Sequence, residues 1–248
     1  MNKILLENMI ITNDSPDIIN IDVSNNKLFI NIQSTEYKHL IINIPCSQTA
    51  SIYLLSNNTN SKTKIEYNLY KNSKLEVVNF SSDQNKEEEV IISLNEEYAS
   101  INYNYSSITK NIDKNHIIVK HNSKNTTSNI ICKSITLDNS TASFTIDSYV
   151  PKNSKNSIIK QATKIITMDK NNSIIKPNMY IDEKDISATH SSSIGTFDKE
   201  SLFYLSTRGI DYTSGLKLLI KGFLIGNTDL DLNLKEIILN EINKYWRW

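Results

Sequence analysis

The chain has 248 residues, 27 Lys+Arg against 27 Asp+Glu, and 39% hydrophobic residues, so it is long enough to bury a sizeable core as one large domain or two small ones. A net charge of zero gives no basic footprint for a phosphate backbone. All but two of the cations (Arg208 and Arg247) are lysines, poor base readers, which excludes nucleic acid as the expected partner. No run approaches the roughly 20 apolar residues of a bilayer span, and Glu7 and Asn8 interrupt the N-terminal apolar stretch before a signal-peptide core develops, so a cytoplasmic chain without membrane contact is expected.

In chain order, residues 18 to 168 offer twelve short β-branched and aromatic runs separated by Asn/Ser/Lys/Asp clusters, from IINIDV through KIEYNL and SINYNY to KIITM. They recur roughly every 10 to 13 residues, a spacing that suits a sandwich, a barrel or a β-solenoid. Ile65-Glu66-Tyr67-Asn68-Leu69 and Ile101-Asn102-Tyr103-Asn104-Tyr105 alternate cleanly, so one face of each can be buried. No Asn-Gly hairpin signal separates the runs, which favours a stacked parallel solenoid whose corners need not be two-residue reversals. Abundant Asn is compatible with such corners because Asn tolerates the left-handed conformation that Gly otherwise supplies.

The five glycines all lie from Gly195 onward, where the chain changes character. Asp198 before LFYLSTRG, with Glu200 in the first turn and Gly209 just past the end, predicts a short capped helix. A second helix is predicted over 212–225, with Leu216, Leu219, Ile220 and Phe223 on one face, and a third over about 232–245 carrying Ile237, Ile238 and Ile242. The expected division is a β domain over 1–195 and a helical subdomain over 196–248.

Three stretches then resemble the SufB/SufD family of iron–sulfur cluster assembly proteins. They are HNSKNTTSNIICKSITLDNSTASFTIDSYV (121–150); Gln161 with KIITMD, KPNMYID and ISATHSSSIG; and LFYLSTRGIDYTSGLKLLIKGFL (202–224). The resemblance implies a right-handed parallel β-helix followed by a small C-terminal helical subdomain, without the N-terminal helical region of longer members. It also implies a scaffold rather than an enzyme, pairing through its β-helix with a SufB-like paralogue or a second copy and carrying a SufC-type ABC ATPase on its C-terminal helices. No GxxxxGK[ST] loop occurs, so nucleotide is expected to be bound by that partner and not by this chain.

Within the resemblance, His190 in SATHSSSIG is the candidate ligand, or supporting hydrogen-bond donor, for a transient iron–sulfur cluster shared with the partner. The SufB pattern has Cys 28 residues before this His and Glu directly after it; here these positions are Ala162 and Ser191, neither of which ligates iron. The missing thiolate favours the SufD-like role. Phe203, Tyr204, Arg208, Gly209, Leu216, Gly222 and Phe223 are the candidates for ATPase contact, with Phe203 also expected in the core and exposed positions favoured on the second helix and at a Gly222-Phe223 turn.

Other reactive side chains read as structural. Cys132 in NIICKSI suits a small buried hydrophobe, Cys46 follows Pro45 at a predicted corner, and His39, His116 and His121 are scattered. Glu87-Glu88-Glu89 reads as a solvated strand entrance. The rival readings are a β-helix carbohydrate-active protein, which needs the clustered carboxylates this chain lacks, and a purely structural oligomerisation domain.

Overall fold

A computed structural model describes residues 6–137, 139–168, 172–226 and 232–245. Its strands are β1 (Leu6–Ile11), β2 (Ile18–Asp22), β3 (Lys27–Ile32), β4 (Lys38–Ile44), β5 (Thr49–Ser56), β6 (Asn60–Leu69), β7 (Lys74–Ser81), β8 (Asn85–Leu94), β9 (Ser100–Thr109), β10 (Ile112–His121), β11 (Thr127–Thr136), β12 (Thr141–Val150), β13 (Ser157–Thr167), β14 (Ile174–Ile181) and β15 (Ile186–Gly195). Three helices follow: α1 (Lys199–Thr207), α2 (Tyr212–Ile225) and α3 (Leu232–Tyr245). The odd strands form one eight-stranded sheet and the even strands a seven-stranded sheet, each in rising chain order with parallel neighbours. The chain therefore alternates between the two sheets, one strand of each per turn, and the fold is a parallel β-solenoid.

The alternation read from the sequence decides which side chains enter the stack. In β4, Lys38, Leu40, Ile42 and Ile44 are buried while His39, Ile41 and Asn43 lie on the outside. In-register stacking then aligns Ile42, Tyr67 and Ile92 in one interior column and Val77, Tyr103 and Ile130 in another. Tyr67 meets Tyr103 edge-on at 6.2 Å between centroids, and Tyr105 meets Phe144 at 5.6 Å. Burial holds the phenols of Tyr67, Tyr103 and Tyr105 well above their usual pKa, so they stay neutral.

The corners explain the asparagine. Left-handed residues with φ of 50–74° follow each of β2, β4, β6, β8, β10 and β12: Asn25, Ser47, Asn72, Tyr98 and Asn125 singly, and Asn153 with Asn156 after β12. Successive corners are linked along the stack, the Asn72 N–H donating to Glu97 O (3.0 Å) and the Asn125 N–H to Lys155 O (2.8 Å). Side-chain amides add ladders, Asn68 Nδ2 donating to Asn43 Oδ1 (3.1 Å) and Asn156 Nδ2 to Asn125 Oδ1 (3.1 Å).

All twelve predicted runs are strands, β2 to β13, and the structure adds to them. Three strands lie beyond the twelve predicted runs: β1, β14 and β15. β14 contains Pro177, and β15 is rich in Ser and Thr with no buried residue, so neither shows the apolar alternation of an inner strand. It also corrects the acidic run. Glu87 and Glu89 face outward, but Glu88 is 3% exposed inside the solenoid, beside the Lys86 ammonium at 3.2 Å. Glu88 accepts from Thr63 Oγ1 (3.1 Å) and Asn79 Nδ2 (2.9 Å). One turn on, buried Asp113 accepts from Tyr105 Oη (3.0 Å), Ser107 Oγ (2.7 Å) and Asn115 Nδ2 (2.7 Å).

The helices cover the outer face of the eight-stranded sheet. Leu216, Ile220, Leu224 and Ile225 of α2 and Ile238 and Ile242 of α3 form one apolar cluster with Leu55, Phe80, Ile108, Ile135 and Ile166. Ser106 Oγ donates to Leu224 O (2.9 Å), and Asn57 Nδ2 donates to Glu241 Oε2 (2.6 Å), which fixes both helices to the strands. The predicted cap is present: Asp198 accepts from the Glu200 and Ser201 N–H groups, and Gly209 sits at φ 80° just beyond the α1 terminus.

Candidate functional site

β14 and β15 are the last strands of their sheets, each with a described neighbour on one side only. The solenoid therefore ends in two strand edges and the side chains of its last turn. β15 pairs with β13 in a register that sets His190 beside Gln161, Ala162 beside Ser191 and Thr163 beside Ser192. Gln161 and Thr163 are interior residues, so His190 continues the interior column Val77, Tyr103, Ile130, Gln161. No described strand stacks beyond it, and its ring is exposed although it occupies an inward position. Among the described residues it makes no hydrogen bond. Gln161 beneath it donates Nε2 to Ser148 Oγ (2.8 Å), which leaves Oε1 buried without a partner.

Ala162 and Ser191 are also brought together, but on the opposite face. Alternation puts both on the outside of the eight-stranded sheet, where they line a groove that Gly222 and Phe223 close from α2. The three positions discussed for cluster chemistry thus meet at one end of the solenoid, with the imidazole on the inside of β15 and Ser191 on its outside.

The remaining partner candidates separate into exposed and buried sets. On α1, Phe203 is 70% and Tyr204 57% exposed, and the Arg208 guanidinium lies 5.4 Å from the Tyr204 ring centre. Phe203 is therefore surface and not core, because α1 buries none of its residues and touches α2 through Leu202 and Leu205. Leu216 is buried in the cluster on the sheet. Gly222 and Phe223 lie within α2 and form no turn, and Phe223 packs edge-on against Phe197 at 6.2 Å.

The other histidines and cysteines serve the fold. Cys132 is fully buried in an interior column, where burial pushes its thiol far up, and Cys46 is exposed at a corner, 3.7 Å from the Glu96 carboxylate. His39 contacts Glu66 at 3.0 Å and His116 contacts Asp147 at 2.7 Å on the outer face of the seven-stranded sheet. Among the described residues no three His, Cys, Asp or Glu side chains converge into a complete metal centre.

His121 is buried between Thr126 Oγ1 and Ser128 Oγ, each at 2.8 Å, and desolvation pushes its pKa down to about 4. The unfolded chain takes up a proton below about pH 6.5 that the folded chain refuses, so stability is complete above that value and falls between it and about pH 4. A loss of about 2 kcal/mol between pH 7 and pH 5 is expected from this group. Urea titrations at the two pH values should show it, and His121→Gln should flatten the dependence.

Comparison with known proteins agrees with this architecture. The SufBD core domain of the SUF system for FeS cluster assembly matches residues 43–223, from β4 to near the end of α2. The chain is also similar to the iron–sulfur cluster assembly protein SufD of Bacillus subtilis (strain 168), 44% identical over 48 residues. That match spans 19% of this chain and 11% of the curated relative. No described helix is long and apolar enough to cross a membrane. With a parallel solenoid, helices docked on its outer face and a core-domain match running through both, the chain belongs to the SufBD family of the SUF iron–sulfur cluster assembly system.

Proposed function

We propose that this chain is a SufD-like scaffold subunit that pairs, through the open end of its solenoid, with a SufB-like paralogue and carries a SufC-type ABC ATPase on its helices. The observation that carries the reading is the placement of His190. It stands exposed in the last rung of the stack, at an end with two strand edges and the exposed Ile174, Ile181 and Ile194. Unpaired edges flanked by apolar side chains are surfaces that proteins cover. An imidazole can complete an iron–sulfur site, but Ala162 and Ser191 supply no thiolate or carboxylate to found one. The sulfur ligands then come from the paralogue, and the cluster is cargo assembled across the junction. The exposed Phe203 and Tyr204 of α1 support the ATPase assignment, since aromatic anchors of this kind dominate protein interfaces.

Reconstitution of the three-subunit complex tests both contacts. His190→Ala should leave assembly and melting unchanged, because an exposed imidazole without partners contributes little stability, and should lower the iron and sulfide recovered. Phe203→Ser with Tyr204→Ser should weaken ATPase retention by about tenfold or more and leave pairing intact. Unchanged iron and sulfide in the first variant would remove His190 from the site.

A further inference from the structure

We propose that the groove between α2 and strands β11, β13 and β15 is a binding site for a small phosphate-bearing anion, held between the ammonium groups of Lys133 and Lys164. The two lysines are register neighbours on adjacent parallel strands, and Ser193 follows them in the same outward column. Like charges placed directly across a strand pair are destabilising. The same solenoid avoids this on its other sheet, where Lys62 faces Glu87 at 3.4 Å and Lys64 lies 2.8 Å from Glu66 and 3.8 Å from Glu89. On the groove side, neither Lys133 nor Lys164 forms an ion pair among the described residues, and no carboxylate lines the groove. A doubly charged anion resolves that repulsion.

The shape fits such a ligand. The next outward column runs through Ala162 and Ser191, whose small side chains, with Gly222 on α2, leave a volume of about 430 Å³. That is the size of an ordinary small-molecule site. Lys133 is half-buried, with Nζ 5.7 Å from the Phe223 ring centre. Burial and the neighbouring Lys164 hold its ammonium below the usual lysine range, a penalty that a bound anion reverses. Two ammonium point charges match a phosphate dianion better than a single carboxylate, the Ser191 and Ser193 hydroxyls can donate to its oxygens, and Phe223 offers an apolar wall to the group that carries it. The site uses residues of this chain alone and does not depend on the scaffold reading.

Calorimetric titration of the full chain with inorganic pyrophosphate at low salt tests the proposal. Saturable binding with a Kd below about 1 mM is expected. Lys133→Gln and Lys164→Gln should each weaken it about tenfold or more, the loss of a charged hydrogen-bond donor. Lys164 is exposed, so its variant keeps the fold. Ala162→Leu, which keeps both charges but fills the groove, should also abolish binding, while Lys62→Gln on the opposite sheet should leave it unchanged. Absence of saturable binding, equal weakening in Lys62→Gln, or undiminished binding in Ala162→Leu would overturn the site. So would lysine variants that leave pyrophosphate binding untouched but weaken association with the paralogue, which would assign the pair to an acidic protein segment.

Discussion

Asp113→Ala should destabilise the solenoid by about 3–5 kcal/mol, which for a chain of this size lowers Tm by roughly 10 °C. The carboxylate sits 2% exposed in the interior and accepts from Tyr105 Oη, Ser107 Oγ and Asn115 Nδ2. Alanine leaves these buried donors without their acceptor, and each buried orphan costs about 1–3 kcal/mol. Ser107 keeps its bond to Ser134 Oγ at 2.9 Å, which limits the total. Asp113→Asn retains the shape and part of the accepting capacity, so it should cost about half as much. Thermal melts of the three proteins check the order, and a Tm for Asp113→Ala within about 2 °C of wild type would show that the interior network carries no weight.

Ile220→Asp should release the helices from the sheet without unfolding the strands. Ile220 is 0% exposed at the centre of the cluster formed with Phe80, Ile108, Ile135 and Ile166. An unpaired carboxylate there costs at least about 4 kcal/mol, whereas Ile220→Val, which removes one methyl group, should cost about 1 kcal/mol. Stacked turns hold one another through nearest-neighbour contacts, so the strands should survive the loss of their cover. Hydrogen exchange should show α2 and α3 amides losing protection while β6 to β12 keep theirs. Retained protection of α2 would mean that the cluster does not anchor it.

Interior side chains were legible wherever a strand alternates, as in Ile65-Glu66-Tyr67-Asn68-Leu69, because a side-chain period of two needs no knowledge of the neighbours. The α1 boundaries were legible because Asp198 and Gly209 act locally on the backbone. Glu88 was not. The period of Val90, Ile92 and Leu94 extends back to Glu88, but a carboxylate at an inward position is acceptable only because Lys86, Thr63 and Asn79 meet it there, which the sequence does not show. The sidedness of the site was hidden for the same reason. His190 and Ser191, adjacent in one strand, must lie on opposite faces, but that His190 is the inward one follows from its register with interior Gln161. A signal for that register was present in the repeated Lys-x-Ile-Thr of residues 133–136 and 164–167, which the structure lays side by side.

The central claim, that the open end is where a SufB-like paralogue docks and that His190 faces its sulfur ligands, is tested most directly by cross-linking. With the exposed Cys46 changed to Ser and Cys132 buried, His190→Cys leaves a single accessible thiol in this chain. A disulfide forms only between cysteines whose Cα atoms come within about 7 Å. Mild oxidation of the mixture should yield a reducible adduct of this chain with the paralogue, while Lys62→Cys on the far sheet yields none. A paralogue that binds without forming the adduct at position 190, or one that does not bind, would contradict the account.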